Sequence, residues 1–134
     1  MPNEKENKFR VFLPVEPRGK QRARVLRSGR SYTPKETKET ENLIRLFLVR
    51  ENPPMYETGA LSLKVYFHIL KPKSVSKKRL YPSVKPDIDN LTKTIFDSLQ
   101  GICFKNDSQI VDLCAYKRYA ARQGILVELS PLAD

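Results

Sequence analysis

Paired metal-binding cysteines and histidines are missing from this chain. It holds two cysteines, Cys103 and Cys114, and one histidine, His68, in 134 residues. Neither cysteine belongs to a C-x-x-C pair, which argues against a zinc site. The plain expectation for both is a buried thiol in a cytosolic protein. No apolar run approaches the about 20 residues that span a bilayer, so no membrane partner is expected. The first ten residues, MPNEKENKFR, are polar and carry two glutamates. They contain nothing resembling a secretory signal, and the cytoplasm is the expected location. Also lacking are an internal repeat and a nucleophile paired with a base, since Ser, Tyr and the lone histidine show no suitable arrangement. No small-molecule cofactor is expected.

What the chain has in excess is positive charge. It carries 25 Lys and Arg against 15 Asp and Glu, a formal net charge of +10. That surplus on a short chain points to a polyanionic partner. Nucleic acid is the commonest such partner, with anionic membrane or a ribosomal setting as rivals. Length predicts one domain over residues 1–134, with 1–7 a flexible tail. Apolar residues are 40% of the chain and charged residues 30%, the balance of a soluble globular protein.

Alternation along KFRVFL predicts a strand at 8–13, with Phe9, Val11 and Leu13 on one side. Residues 14–30 then hold Arg18, Lys20, Arg22, Arg24, Arg27 and Arg30 among prolines and glycines, an irregular or hairpin-like basic stretch. Thr33 is a suitable N-cap and Pro34 suits the first turn of a helix running to about Arg50. Leu43, Ile44, Leu46 and Phe47 are its expected apolar side, and Asn52-Pro53-Pro54 stops it. Residues 60–70 give the clearest strand, with Leu61, Leu63, Val65, Phe67 and Ile69 on one face. His68 falls on the other, more polar face, where a structural or surface role is expected. Residues 71–86 lack periodicity and hold Lys71, Lys73, Lys77, Lys78, Arg79 and Lys85, as expected of a mobile basic loop. A second helix is predicted from about Asp89 to Gln100, with Ile88, Leu91, Ile95 and Leu99 as its core stripe and Gly101 as its stop. Strands follow at about 110–119 and 124–129. The fold class read from this order is α+β: one mixed or mostly antiparallel sheet of about four or five strands, with two main helices packed on it.

The segment Lys85-Pro86-Asp87-Ile88-Asp89-Asn90-Leu91-Thr92-Lys93 carries the chemistry. Pro86 favours an extended chain at Lys85, which would set Asp87 and Asp89 on one face and turn Ile88 into the core. Paired carboxylates repel and need a cation or a hydrogen-bonding partner. Hard oxygen ligands of this kind suit Mg²⁺. Lys93 lies one helical turn beyond Asp89 and is placed to meet a phosphate. Asp107 sits in a turn after the second helix, where the chain can return beside that helix's start. The plainer alternatives stay open on spacing alone: Asp89 as a helix cap, Asp89–Lys93–Asp97 as a surface ion-pair ladder, and Asn106-Asp107 as a polar turn.

The strings KPDIDNLTK, FDSLQG and FKNDSQIV resemble the signature of RusA-type Holliday-junction resolvases. PRGKQRARV followed by SYTP is similar to that family's basic N-terminal segment and helix start. The resemblance covers about residues 10–115. It implies that Asp87, Asp89 and Asp107 bind the metal (Mg²⁺, with Mn²⁺ as a substitute) and act in catalysis with Lys93. Asn90 and Asp97 match recurring motif positions placed behind the ligands. The family usually has two acids in the turn; here the first is Asn106, which puts the support of Asp107 in question.

On this reading the chain is a Mg²⁺-dependent endodeoxyribonuclease that resolves Holliday junctions during DNA recombination and repair. The two basic groups, Arg18 to Arg30 and Lys71 to Lys85, hold the phosphates. The partners implied are branched, four-way DNA and a second copy of the chain, because two related cuts suit a two-fold homodimer. The rival readings are a non-catalytic basic DNA-binding module with a decayed or structural acidic cluster, hinted at by Asn106, and an RNA-associated basic protein.

Overall fold

The computed structural model describes residues 8–21, 24–32 and 34–133. Its elements in chain order are β1 (Phe9–Leu13), β2 (Arg24–Val25), β3 (Ser31–Tyr32), α1 (Lys35–Arg50), β4 (Leu61–Ile69), α2 (Ile88–Leu99), a 3-10 turn (Asp107–Gln109), β5 (Ile110–Tyr119) and β6 (Gly124–Pro131). The predicted tail at 1–7 and the predicted cap Thr33 lie outside the described residues.

Four strands form one mixed sheet in the order β1-β6-β4-β5, and β2 with β3 makes a separate two-stranded ribbon. β4 and β5 are parallel; β1–β6 and β4–β6 are antiparallel. A parallel pair needs a long crossover, and the stretch containing α2 supplies it. The α+β fold read from the sequence is therefore the fold of the chain, with four strands in the main sheet.

Period-two patterning aligns the core. Val11, Val127 and Val65 stand in register across three strands, as do Leu13, Ile125 and Phe67. All six are buried. Ile44 and Leu48 of α1, and Leu91, Ile95 and Leu99 of α2, close over them together with Cys103 and Phe104. The opposite sheet face carries Tyr66, stacked on Tyr116 at 4.7 Å, and His68, 5.8 Å from the Phe12 ring. His68 thus packs against an aromatic neighbour. Among the described residues, no helix is long and apolar enough to cross a membrane.

Several expectations need correction. α1 starts at Lys35, and Pro34 flanks it in an extended conformation without a side-chain cap. Its buried face is Thr37, Thr40, Ile44 and Leu48, whereas Leu43 and Leu46 are 42% and 53% exposed. Ile44 is buried as expected and Phe47 packs half-buried against the core, but two of the buried positions are threonines, which counting apolar residues missed. Thr40 meets its polar need locally, donating its hydroxyl to the Glu36 carbonyl at 3.0 Å. In α2, Leu91, Ile95 and Leu99 are buried as expected, but Ile88 is 39% exposed. The helix begins at Ile88 itself. Only one thiol is buried: Cys103 is enclosed and Cys114 is exposed.

Candidate active site

The start of α2 sets the first two carboxylates. Asp87 is the flanking residue, extended at φ −72° and ψ 142°. Its carbonyl accepts from the Leu91 amide at 3.1 Å, the first bond of the helix. Asp89 already lies in the first turn, where the helix dipole favours an acid. The two are therefore not alternating positions of an extended strand, as the proline had suggested. Neither is tied up as a cap at this end: the Asp87 side chain accepts no cap bond, and among the described residues the bond that Asp89 Oδ1 accepts comes from the neighbouring Asn90 amide at 2.9 Å. Lys93 and Asp97 follow Asp89 at successive four-residue steps on the same helix side.

The end of α2 returns the third carboxylate. Gly101 adopts φ +89°, a left-handed conformation that glycine enters without penalty. The chain then folds back, with the Cys103 amide donating to the Leu99 carbonyl and the Gly101 amide to the Phe104 carbonyl, both at 2.8 Å. Buried Cys103 and Phe104 anchor this corner. Beyond it, Asn106 caps the short 3-10 turn, its side-chain oxygen accepting from the Ser108 amide at 3.0 Å. Gln109 completes the turn: Oε1 accepts from the amides of Lys105 and Asn106, and Nε2 donates to the carbonyls of Tyr56 and Gly59. The Asp107 amide donates to Gln100 Oε1 at 3.1 Å. Asp107 is thereby fixed to the end of α2 and to the loop at 56–59.

One cavity of about 650 Å³ collects these groups. Asp87, Asp89, Asp107, Lys93, Asn90 and Asp97 all line it, together with Lys20, Gln21 and Phe96. Four carboxylates against two ammonium groups make this hollow negative within a chain of net charge +10. Asp87, Asp89 and Asp107 are exposed, and among the described residues none of the three forms an ion pair, nor does Lys93. The three carboxylates face one space without closing into a finished ligand set: among the described residues, no group of three or more acidic, histidine or cysteine side chains is drawn together tightly enough to hold an ion. Asn106 does not line the cavity; its side chain serves the turn.

The ion-pair ladder along α2 is not formed. Asp97 instead pairs with Lys20, from a segment 77 residues earlier in the chain. The Lys20 amide donates to the Asn90 carbonyl at 3.1 Å. Gly19 permits this docking, because a Cβ there would stand 3.1 Å from Asn90 Cβ. The same segment is held on α1 by the Gln21 amide, which donates to Thr37 Oγ1 at 3.1 Å. Behind it, Arg45 donates to the Asp97 carbonyl at 2.7 Å and approaches Glu41 at 3.8 Å. The hydrogen bond that Lys20 donates to Asp97 holds the Lys20 pKa above the ordinary lysine value, against the pull of burial. Burial, and then the nearby Asp97 charge, push Glu41 above the usual glutamate value, while Lys20 and Arg45 act the other way.

Among the described residues, the predicted basic groups reach this cavity through Lys20. Lys20 lines it, and Arg18 is paired with Glu16 at 3.1 Å. Arg22 lies outside the described residues, Arg24 is a backbone position of β2, and Arg27 and Arg30 are exposed in the ribbon. In the loop at 70–87, Lys71 donates to the Arg79 carbonyl at 2.5 Å, and Lys73, Lys77, Lys78, Arg79 and Lys85 are exposed. Spacing gave no sign of Gln21, Phe96 or Gln100. For Gln109 a signal existed: Asn106 followed three residues later by glutamine is the pattern of a capping box.

Two comparisons with known proteins bear on this arrangement. Residues 14–130 match the family described as Endodeoxyribonuclease RusA. A relative from Bacillus subtilis (strain 168), "Uncharacterized protein YqaN", is 31% identical over 125 residues, covering 84% of this chain and 87% of the relative.

Proposed function

Because the chain belongs to the RusA endodeoxyribonuclease family, we propose that it is a Mg²⁺-dependent, structure-selective endodeoxyribonuclease. It resolves Holliday junctions by paired phosphodiester cleavage during DNA recombination and repair. One observation supports the reading above others: Asp107, from the turn after α2, lines the same cavity as Asp87 and Asp89, from its start. A negative hollow in a strongly basic protein suits a divalent cation brought together with a phosphate.

In this reading Asp87, Asp89 and Asp107 hold Mg²⁺, or Mn²⁺ in its place. They fit in kind, as hard oxygen donors on one cavity with no ion-pair partner among the described residues. When bound, such an ion would supply a water of lowered pKa and offset charge at the phosphate. Lys93 meets a non-bridging phosphate oxygen and stabilises the charge that builds there. Asn90 supports the ligands from α2, Asp97 orients Lys20, and Asn106 and Gln109 fix the turn that carries Asp107. Water is the attacking group, and no covalent enzyme intermediate forms. His68 lies on the sheet face opposite the core, packed against Phe12.

The arginines and lysines at 18–30 and 71–85 bind phosphates, giving salt-sensitive and largely sequence-independent affinity. The whole activity resides in one domain, acts in the cytoplasm, and works as a homodimer with two equivalent sites. α1 leaves Leu43, Leu46 and Val49 exposed, and β5 leaves Val111 and Leu113 exposed; these are among the exposed apolar residues that a second copy could cover. Asn106 does not favour a decayed site, because capping needs only an acceptor and asparagine serves as well as aspartate.

Labelled four-way junctions test the reading directly. Cleavage is expected with Mg²⁺ and none with EDTA. Asp89→Asn should lower cleavage by at least about 100-fold, since even losses behind metal ligands cost about 10- to 100-fold. Junction binding should be retained or tightened. Binding without cleavage under every divalent metal would refute the proposal.

A further inference from the structure

A second groove, of about 740 Å³, runs on the other side of Asp87 and Asp89, which line both hollows. Its walls are the end of the loop at 81–85 and the edge strand β5. The Lys117 ammonium ties them together, donating to the Val84 carbonyl at 2.6 Å. Three planar groups of the groove, Tyr116, Arg118 and Tyr81, touch in succession, and Tyr66 backs the first of them. Tyr66 stacks on Tyr116 at 4.7 Å, the Arg118 guanidinium lies 5.2 Å from the Tyr116 ring, and the same guanidinium lies 5.2 Å from the Tyr81 ring. Tyr81, at the outer end, is 59% exposed. Lys85, Lys117 and Arg118 set three cations in the groove against the carboxylates of Asp87 and Asp89.

An exposed aromatic ring backed by a guanidinium and set among lysines is the composition of a nucleobase platform, because every base offers a flat face and every strand a phosphate. The volume lies within the about 300–1,000 Å³ of small-molecule sites. A branch point is where duplex stacking is interrupted, so a base beside the cut is free to leave its stack. We propose that this groove receives an unstacked nucleobase of the strand whose phosphate enters the acidic cavity, with Tyr81 as the stacking surface and Arg118 as its support. The assignment rests on the nuclease reading for which strand arrives there. Tyr81 and Arg118 would then favour branched over fully paired DNA by a contact that intact duplex cannot make.

The test uses the full chain in EDTA, where binding is read without cutting. The probes are a single-stranded oligonucleotide and a four-way junction, each with 2-aminopurine in place of one base, at the branch point in the junction. Tyr81→Leu keeps bulk and removes the ring; Tyr81→Phe keeps the ring. Wild type and Tyr81→Phe should quench the fluorescence by stacking. Tyr81→Leu should lose the quench and weaken single-strand binding by about 5-fold or more, with duplex binding and the urea midpoint unchanged. A Tyr81→Leu variant that quenches and binds like wild type, or that weakens duplex equally, overturns the groove. If such a variant still cuts junctions in Mg²⁺, only the groove falls. If quenching follows the ring but no metal supports cleavage, the groove stands and the nuclease reading falls.

Discussion

Gln109 offers the sharpest test of how Asp107 is positioned. Its amide makes four hydrogen bonds, two accepted from the Lys105 and Asn106 amides and two donated to the Tyr56 and Gly59 carbonyls. At about 0.5–1.5 kcal/mol net for each bond, the set is worth roughly 2–6 kcal/mol. Lys105, Asn106 and Gly59 are exposed, so water replaces much of what Gln109→Ala removes, and a loss of about 2 kcal/mol in unfolding free energy is expected. Urea denaturation reads it as a lower midpoint at an unchanged slope. The functional signature is separate: the Mg²⁺ concentration for half-maximal junction cleavage should rise while junction affinity in EDTA stays at the wild-type value. Gln109→Glu keeps the acceptors and loses the donors, and should fall between the two. A Gln109→Ala protein of lower stability with wild-type Mg²⁺ dependence would refute the argument that this turn sets the metal site.

Other consequences follow from charge and burial. Lys77→Ala with Lys78→Ala should weaken junction binding across sequences and flatten the plot of log Kd against log salt by about two units of slope; an unchanged slope would remove the loop from the DNA surface. Asn106→Asp should leave the turn and its stability within about 0.5 kcal/mol of wild type, because either side chain caps it, and a large gain or loss in cleavage would contradict the capping role. Cys114 should react with a thiol reagent in the native protein while Cys103 reacts only on unfolding, since burial pushes the Cys103 thiol up to about 12. The same burial fixes a sign. Above pH 9 the unfolded thiol ionises and the folded one does not, so unfolding releases a proton and stability falls as pH rises toward 12. Lys20, whose pKa is raised by Asp97, adds to that fall above pH 10.5. A stability flat from pH 9 to 11 would contradict both.

The sequence was most legible where one side chain type did one job. β4 alternates because one face is core and the other is not, and α2 keeps Leu91, Ile95 and Leu99 at helical spacing for the same reason. α1 misled because Thr37 and Thr40 occupy its buried face, leaving leucines outside. In the site, spacing marked the carboxylates and Lys93 as candidates and the family resemblance singled them out; one cavity gathers them. Their supports were not. Lys20 and Asp97 are 77 residues apart, and no local pattern signals such a pair. Tyr116, Lys117 and Arg118 read as ordinary strand residues until parallel pairing set them beside the basic loop.

The most direct measurement is a crystal structure with Mn²⁺, whose anomalous signal locates the ion independently of the protein chain. A peak is expected in the cavity shared by the two ends of α2, with oxygens of Asp87, Asp89 and Asp107 as ligands. A peak elsewhere, or one held by the α2 carboxylates with Asp107 turned away, would contradict it.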